Sequence, residues 1–195
     1  MKKIILASGS PRRRELLTQI GISFEVVKAE GEEKITTDDP EEAVKELAMQ
    51  KAQEVAGRVD ADVVIGADTV VAVDGEIMGK PKDPEDAVRM IRHIQGRDHE
   101  VLTGVAVILK KGEVETTINF AETTRVHVFP MTEEEIRAYV ASKEPMDKAG
   151  AYGIQGLFAA YVSGIEGDYN NVVGLPVGRL YQEVKAIADV DLRTL

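Results

Sequence analysis

The 195-residue chain contains no cysteine. Disulfide bonds, zinc sites built from thiolates and catalysis by a thiol are therefore excluded. Long apolar runs are also missing from the sequence: none approaches the roughly 18 residues of a membrane span. The apolar run at residues 4–7 is too short for the core of a signal peptide. We therefore expect no membrane partner and a cytoplasmic location.

Basic residues are outnumbered, with 24 Lys and Arg against 34 Asp and Glu and a formal net charge of −10. Proteins that bind nucleic-acid polymers rely mainly on clustered Lys and Arg, so this charge argues against such a partner. Hydrophobic residues make up 44% and charged residues 30% of the chain, which is typical of a globular protein. The length predicts a single domain that spans residues 1–195.

Hydrophobic periodicity and turn signals predict strands that alternate with helices. The expected strands are 4–7, 24–27, 62–73, 77–78, 101–109, 114–129 and 157–162, and the expected helices are 11–20, 40–55, 84–96, 132–142 and one that begins near 176. Asp74 and Gly75 form a hairpin signal between two of these strands. Because hairpins occur beside helix-linked strands, we expect the α/β or α+β class with a mixed sheet.

Three consecutive arginines, Arg12, Arg13 and Arg14, fall in the opening turn of the first predicted helix, after Ser10 as N-cap. The helix dipole and the free N–H groups at this end favour anions and disfavour cations. A bound phosphate chain would resolve this conflict, with Ser8 supplying a further hydroxyl. The alternative is that some of these arginines are solvated and pair with a neighbouring acid. The Walker phosphate-loop motif does not occur in the sequence.

Asp68 interrupts the apolar strand segment 63–71, where a buried carboxylate without a partner would be costly. Such a residue needs a cation, a metal ion or a catalytic role, and a carboxylate in this setting can act as a general base. A solvated Asp on an exposed strand face is the alternative.

Lys51 and Lys80 are candidates for the counter-charge of this carboxylate. Lys51 lies on the apolar stripe of its helix, so its head group either points to a specific partner or extends to solvent. Strict hairpin register pairs Lys80 with Thr69, and therefore places Lys80 on the face opposite to Asp68 unless Gly79 breaks the ladder.

Acidic residues that could hold a divalent cation follow the second strand. Glu32 and Glu33 occur there, with Asp68 as a third oxygen donor. Carboxylates together with substrate phosphates suit Mg²⁺ or Mn²⁺, whereas the three histidines show no metal-binding spacing. Gln155, in a glycine-rich loop, carries an amide that can read the edge of a base or sugar; ordinary polar surface is the alternative.

Several motifs match one protein family in chain order. They are Leu6-Ala7-Ser8-Gly9-Ser10-Pro11-Arg12-Arg13, Lys51-Ala52, Gly66-Ala67-Asp68-Thr69-Val70, Gly79-Lys80-Pro81, Asp147-Lys148-Ala149-Gly150-Ala151-Tyr152-Gly153-Ile154-Gln155-Gly156 and Val173-Gly174-Leu175-Pro176. With these motifs the chain resembles the Maf family of nucleoside triphosphate pyrophosphatases over nearly its full length. The resemblance implies a twisted mixed sheet flanked by helices, with two lobes around a central cleft, as in inosine triphosphate pyrophosphatases.

The resemblance also implies a reaction, the hydrolysis of a nucleoside triphosphate between its α and β phosphates. By this analogy Asp68 is the proton acceptor, Lys80 joins it among the catalytic residues, and Glu33 with Asp68 holds Mg²⁺, Mn²⁺ or Co²⁺. The residues that match the substrate-binding positions of the family are Ser8, Arg12, Arg13, Lys51, Thr69 and Gln155. Three of them, Arg12, Thr69 and Gln155, match the subgroup that prefers dTTP and UTP.

Other functions stay open at the level of the sequence. The sister subgroup of the family acts on 7-methyl-GTP, and a non-catalytic nucleotide sensor that partners the cell-division machinery belongs to a different class. The sequence does not separate dTTP and UTP from modified forms such as 5-methyl-UTP and pseudo-UTP. The identity of the metal and the formation of a homodimer are open as well.

Overall fold

A computed structural model describes residues 2–195 of the chain. The strands are β1 (Ile4–Leu6), β2 (Glu25–Val26), β3 (Val63–Val73), β4 (Glu76–Met78), β5 (Asp98–Lys111), β6 (Val114–Val128) and β7 (Val162–Glu166). The helices are α1 (Pro11–Gln19), α2 (Pro40–Arg58), α3 (Pro84–Ile94), α4 (Glu133–Ala141), α5 (Tyr169–Val173) and α6 (Val177–Ala188). Short 3₁₀ turns occupy Glu144–Asp147, Ala149–Ala151 and Leu157–Tyr161.

The strands form one mixed sheet in the order β2-β1-β3-β5-β6-β7, with β4 paired to β3. β1 runs parallel to β2 and to β3, and the remaining pairs are antiparallel. The parallel pairs come from helix-linked crossovers, and the antiparallel pairs from hairpins such as the Asp74-Gly75 turn. The predicted α/β class with a mixed, helix-flanked sheet is therefore confirmed.

The central strand β3 is covered on both faces. Ile65, Val71 and Val73 belong to the large apolar core on one face, whereas Val64 and Val70 face the side of α2. Within β3 only Asp68 and Thr69 are not fully buried. The apolar run of β3 thus forms a rigid, doubly covered strand that opens to solvent at the two positions where polar side chains occur.

Two glycines allow α2 to lie directly on the sheet. A Cβ atom on Gly104 would lie 2.0 Å from the carbonyl oxygen of Val44, and one on Gly66 would lie 2.4 Å from that of Ala48. Real Cβ atoms essentially never come so close, so only glycine permits this helix-to-sheet distance. The close approach fixes the height of α2 above β3 and β5.

Most boundaries lie within three residues of the predicted ones, and two differences change how a segment is interpreted. α2 continues to Arg58, so Gly57 lies within the helix and not beyond its end. Residues 157–161 form a 3₁₀ turn and not a strand, and the strand begins only at Val162. The side chain of Phe158 explains this difference, because it is fully buried among the rings of Tyr139, Tyr152 and Tyr161. That aromatic packing turns the backbone in a way that an extended strand would not allow.

The short helix α5 was not predicted from the sequence. It begins after Asp168, whose side chain accepts a hydrogen bond from the N–H of Asn170. Five residues are too few for a clear hydrophobic period. Across residues 2–195, no helix combines the length and apolar character that a membrane span needs.

Candidate active site

Lys51 and Asp68 form the centre of the candidate site. Asp68 lies on β3 directly opposite Gly104 of β5, and its side chain faces α2. The ammonium group of Lys51, from α2, donates a hydrogen bond to Asp68 Oδ1 and lies 3.0 Å from Glu33 Oε1. The side chains of Lys51 and Asp68 are each only 16% exposed. One half-buried ammonium group therefore joins two carboxylates that are far apart in the sequence.

Arg13 of α1 is held by three neutral oxygen atoms. Its Nε donates to the carbonyl oxygen of Gly174 at 2.8 Å, and its two terminal nitrogens donate to Ser8 Oγ and Thr69 Oγ1 at 3.0 Å each. Burial lowers the pKa of Arg13 from its ordinary value, and the negative charge of Asp68 opposes that change. Among residues 2–195, no carboxylate forms an ion pair with Arg13. Its positive charge is therefore partly desolvated without a direct counter-ion, which favours the binding of an anion.

The start of α1 strengthens this preference for an anion. Ser10 occupies the predicted N-cap position, but its side chain makes no capping hydrogen bond. The first turn contains no acidic residue. The positive end of the helix therefore adds to the charge of the neighbouring arginines, and a phosphate group is the kind of ligand that such an end binds.

The three consecutive arginines have different surroundings. Arg13 is held in the site as described above. Arg12 reaches across to Asp147, with 3.5 Å between Nη1 and Oδ2. Arg14 is exposed, and within the described part of the chain it forms no ion pair. The structure thus directs two of the three arginines toward other chain segments and leaves the third on the surface.

Thr69 belongs to a buried chain of hydrogen bonds that the sequence did not reveal. Its hydroxyl oxygen lies 2.9 Å from that of Thr103 on β5, which donates to the carbonyl oxygen of Asn171 at 3.1 Å. Arg13 can only donate, so Thr69 Oγ1 accepts from Arg13 and donates to Thr103. The side chain of Asn171 donates to Val101 and Thr124 from within the core. Single polar residues in buried strands carry no sequence signal for such a network.

Lys80 and Gln155 are not brought into contact with Asp68. The β3–β4 ladder ends at the pair Val71 and Met78, and the carbonyl oxygen of Gly79 instead accepts from the N–H of Gly150 at 3.0 Å. The ladder thus breaks at Gly79, one residue before Lys80. Lys80 and Gln155 are both exposed, and neither makes a hydrogen bond or ion pair with another residue of the 2–195 range. Their roles remain predictions.

Of the three acidic residues predicted to hold a divalent cation, two, Glu33 and Asp68, lie beside the same ammonium group. Within residues 2–195, no three acidic or histidine side chains converge, so Glu32 does not join Glu33 and Asp68 in one cluster. The metal-binding roles of these residues remain predictions. Glu33 and Asp68 do share one cation, the ammonium group of Lys51. Two carboxylates that complete their coordination with substrate phosphates are typical of Mg²⁺. The donor set therefore fits a cation that arrives with a phosphate ligand.

A mixed sheet flanked by helices, with a partly buried arginine at a helix start and a lysine-bound carboxylate beside it, is the arrangement expected of a protein that binds phosphate groups. A family model described as Maf-like protein matches residues 3–187. The chain therefore belongs to the Maf-like family, as its motifs indicated.

Curated relatives match almost the entire chain. A dTTP/UTP pyrophosphatase of Agathobacter rectalis is 53% identical, over 96% of this chain and 98% of its own. A dTTP/UTP pyrophosphatase of Lachnoclostridium phytofermentans is 52% identical, over 95% of each chain. One of Bacillus cereus is 51% identical, over 95% of this chain and 90% of its own.

A solved structure of the Staphylococcus aureus Ham1 protein is 16% identical, with a TM-score of 0.48 over 65% of this chain and 72% of that one.

Proposed function

We propose that this protein is a nucleoside triphosphate pyrophosphatase that hydrolyses dTTP and UTP to the nucleoside monophosphate and pyrophosphate. The relatives described above, at 51–53% identity over 95–96% of the chain, carry this name. The observation in the structure that carries the proposal is the pairing of Lys51 with Asp68 beside the uncompensated charge of Arg13. We place the reaction in the cytoplasm, where nucleoside triphosphates are made and used.

The triphosphate is proposed to lie against the start of α1. The guanidinium of Arg13 is fixed by Ser8, Thr69 and Gly174, so it is pre-organised to meet a phosphate oxygen without further ordering. Arg12 and the exposed Lys80 are proposed to add further positive charge. Neutralising the negative charge of the triphosphate is the main requirement for attack at phosphorus.

Asp68 is proposed as the proton acceptor. Its Oδ1 is held by Lys51, whereas its Oδ2 makes no hydrogen bond with another residue of the described chain. Oδ2 is therefore available to take a proton from water as the water oxygen attacks the α phosphorus. The bond between that phosphorus and the bridging oxygen breaks, and pyrophosphate leaves with the electron pair. Lys51 keeps the carboxylate oriented before the reaction.

Glu33 and Asp68 are the side chains that would hold a divalent cation, in agreement with the fit of their donor atoms. When bound, Mg²⁺, Mn²⁺ or Co²⁺ would neutralise phosphate charge next to the reacting phosphorus. The contribution of the chain itself is the pair of carboxylates that Lys51 brings together.

Gln155 is proposed to read the base. Its amide has both a donor and an acceptor, which is what the O4 and N3–H groups of uracil and thymine require. It is exposed and lies at the end of a segment that Asp147 connects to Arg12 of α1. The base would then contact this segment while the phosphates contact α1.

The experiment that tests the function measures pyrophosphate release from dTTP, UTP, CTP, GTP, 7-methyl-GTP and 5-methyl-UTP with each of the three metals. We expect dTTP and UTP to be the best unmodified substrates. Binding of these nucleotides without turnover would contradict the proposal and favour a nucleotide sensor. A preference for 7-methyl-GTP would contradict the assigned substrate class.

The proton acceptor is tested by Asp68→Asn. The amide retains the shape of the side chain and one acceptor for Lys51, but it cannot take a proton from water. We expect kcat to fall by roughly 10²- to 10⁴-fold, the usual contribution of a general base, with KM changed only a few-fold. Asp74→Asn, at the exposed far end of β3, is the matched control and should retain activity. Near-normal turnover by Asp68→Asn would rule out this role for Asp68.

A further inference from the structure

Glu144, in the turn that follows α4, connects α4 to Leu157, two residues after Gln155. Its Oε2 accepts a hydrogen bond from the N–H of Leu157 at 2.9 Å, and its Oε1 accepts from the hydroxyl of Tyr139 at 3.1 Å. Burial raises the pKa of Tyr139, so its hydroxyl stays protonated and remains a donor. The carboxylate thus has one donor for each of its oxygens and ties residue 157 to α4.

Gly156 permits this contact. A Cβ atom at Gly156 would lie 2.3 Å from Glu144 Oε1 and 2.4 Å from Oε2. The carboxylate therefore occupies the space that any other side chain at position 156 would need. Since Gln155 immediately precedes this glycine, the backbone position of Gln155 depends on the carboxylate of Glu144.

A second side chain from the same turn supports the other end of the segment. Lys148 donates to the carbonyl oxygen of Glu144 and to Asp147 Oδ1, both at 2.7 Å. Its aliphatic part lies under Gly153, where a Cβ would meet it at 2.7 Å. Asp147 in turn meets Arg12. Glu144 and Lys148 thus contact the two ends of the segment 153–157. The ion pair of Asp147 with Arg12 connects their turn to α1.

Rigid support matters because the amide of a glutamine does not discriminate by itself. If it rotates by half a turn, it offers a donor where it offered an acceptor, and it then suits cytosine as well as uracil. A fixed backbone does not stop this rotation, but it determines which edge of the base the amide can reach, so a displaced backbone would weaken the contact with O4 and N3–H. The contacts of Glu144 provide this backbone support.

We propose that Glu144 is a positioning residue that sets the preference for uracil and thymine by fixing the backbone at Gln155. The inference rests on the proposed function of Gln155 as the residue that reads the base. Glu144 touches neither the phosphates nor Asp68, so it acts on recognition of the base and not on the chemical step.

The test compares Glu144→Ala with the parent protein on UTP and CTP. Alanine removes both acceptor oxygens, whereas glutamine could still accept from Leu157 and donate to the hydroxyl of Tyr139. We expect KM for UTP to rise about tenfold and the UTP-to-CTP ratio of kcat/KM to fall about tenfold, which is roughly 1.4 kcal/mol of discrimination, while kcat for UTP changes less than about twofold. Glu134→Ala is the matched control, since Glu134 is exposed on α4 and, in the described range, makes no hydrogen bond or ion pair.

Two further variants keep the outcomes separate. Tyr139→Phe removes only one of the two donors and should shift the same ratio in the same direction by a smaller factor, which tests the inference even if Glu144→Ala does not fold. Gln155→Ala should abolish the preference, and adding Glu144→Ala to it should then cause no further change in the ratio.

Some results would overturn the inference. Equal losses on UTP and CTP, or a loss confined to kcat, in Glu144→Ala would show a merely structural role. An altered ratio in Gln155→Ala with an unaltered one in both Glu144→Ala and Tyr139→Phe would refute the role of Glu144 alone. An unaltered ratio in Gln155→Ala would refute the base-reading role of Gln155 on which the inference rests.

Discussion

Gly104→Ala tests whether the contact between α2 and the sheet holds the active site together. The added Cβ would lie 2.0 Å from the carbonyl oxygen of Val44, about 1.4 Å short of ordinary contact, which begins at 3.4 Å. The atoms nearest to the added Cβ belong to the backbone of Val44 and Lys45, so no flexible side chain can move aside. α2 must therefore shift away from β5, or β5 must bend away from α2.

The expected cost follows from this overlap. Overpacking of a well-packed interior typically costs about 1–3 kcal/mol. For a chain of this length each kcal/mol changes Tm by about 2–4 °C, so the variant should melt roughly 2–12 °C lower. Because Gly104 lies directly opposite Asp68, and Lys51 is carried by α2, the shift should also separate the ammonium group from the carboxylate. We expect kcat/KM for UTP to fall about 10- to 100-fold, as for other misplacements of about 1 Å.

Gly57→Ala is the matched control, because it changes a glycine of α2 itself. A Cβ at this position meets nothing within 4 Å. Replacing glycine by alanine within a helix contributes roughly 0.5–1 kcal/mol of stability, so Tm should rise and kcat/KM should be unchanged. The assays are thermal unfolding and pyrophosphate release from UTP. If Gly104→Ala matches Gly57→Ala in both assays, then the close approach of α2 does not determine stability or the geometry of the site.

Two further predictions concern buried polar groups. Thr103→Val removes the hydroxyl that links Thr69 to Asn171, and should lower the free energy of unfolding in urea by about 1–3 kcal/mol, whereas Thr103→Ser should restore most of it; equal stability of the Val and Ser variants would contradict the network. His99 is buried beside Tyr152, and burial lowers its pKa from 6.5 to about 4. Between pH 6.5 and pH 4 the unfolded chain therefore binds a proton at His99 that the folded protein does not bind. The contribution of His99 to the free energy of unfolding is fully present above pH 6.5 and falls by up to about 3 kcal/mol as the pH decreases toward 4. Urea unfolding of the parent protein and His99→Phe between pH 7 and pH 5 checks this, and parallel pH dependences in the two proteins would refute it.

Much of the fold could be predicted from local sequence signals. The long hairpin of β5 and β6 follows from two long runs of strand character, and the capping box at Thr132 and Glu135 marks the start of α4 as it does in the structure. The prediction was wrong at residues 157–161, where the burial of Phe158 in an aromatic cluster overrides the strand propensity of the segment. Contacts between residues distant in the sequence decide such cases, and hydrophobic period does not report them.

The candidate site was predictable residue by residue but not as an arrangement. Asp68 is recognisable because a carboxylate interrupts an apolar run, and Lys51 because a cation lies on an apolar stripe. That Lys51 reaches both Asp68 and Glu33 depends on how closely α2 approaches the sheet, which two glycines determine from strands far along the chain. Glu144 gives no signal at all, since an acidic residue after a helix is ordinary surface in most sequences.

The positive charge of Arg13 makes the stability of the folded protein depend on a bound anion. Arg13 is partly buried and its hydrogen bonds go only to neutral oxygen atoms, an arrangement that opposes folding because a desolvated charge without a direct counter-ion is costly. The negative charges of Asp68 and Glu33 relieve this cost only in part, since neither carboxylate forms an ion pair with Arg13 in the described chain. A bound triphosphate supplies the missing counter-charge, so it stabilises the folded state by about 2.7 kcal/mol at a concentration one hundred times its Kd. The charge of Arg13 therefore lowers the stability of the protein without ligand and also selects a small anion. The rest of the acidic surface would repel such an anion.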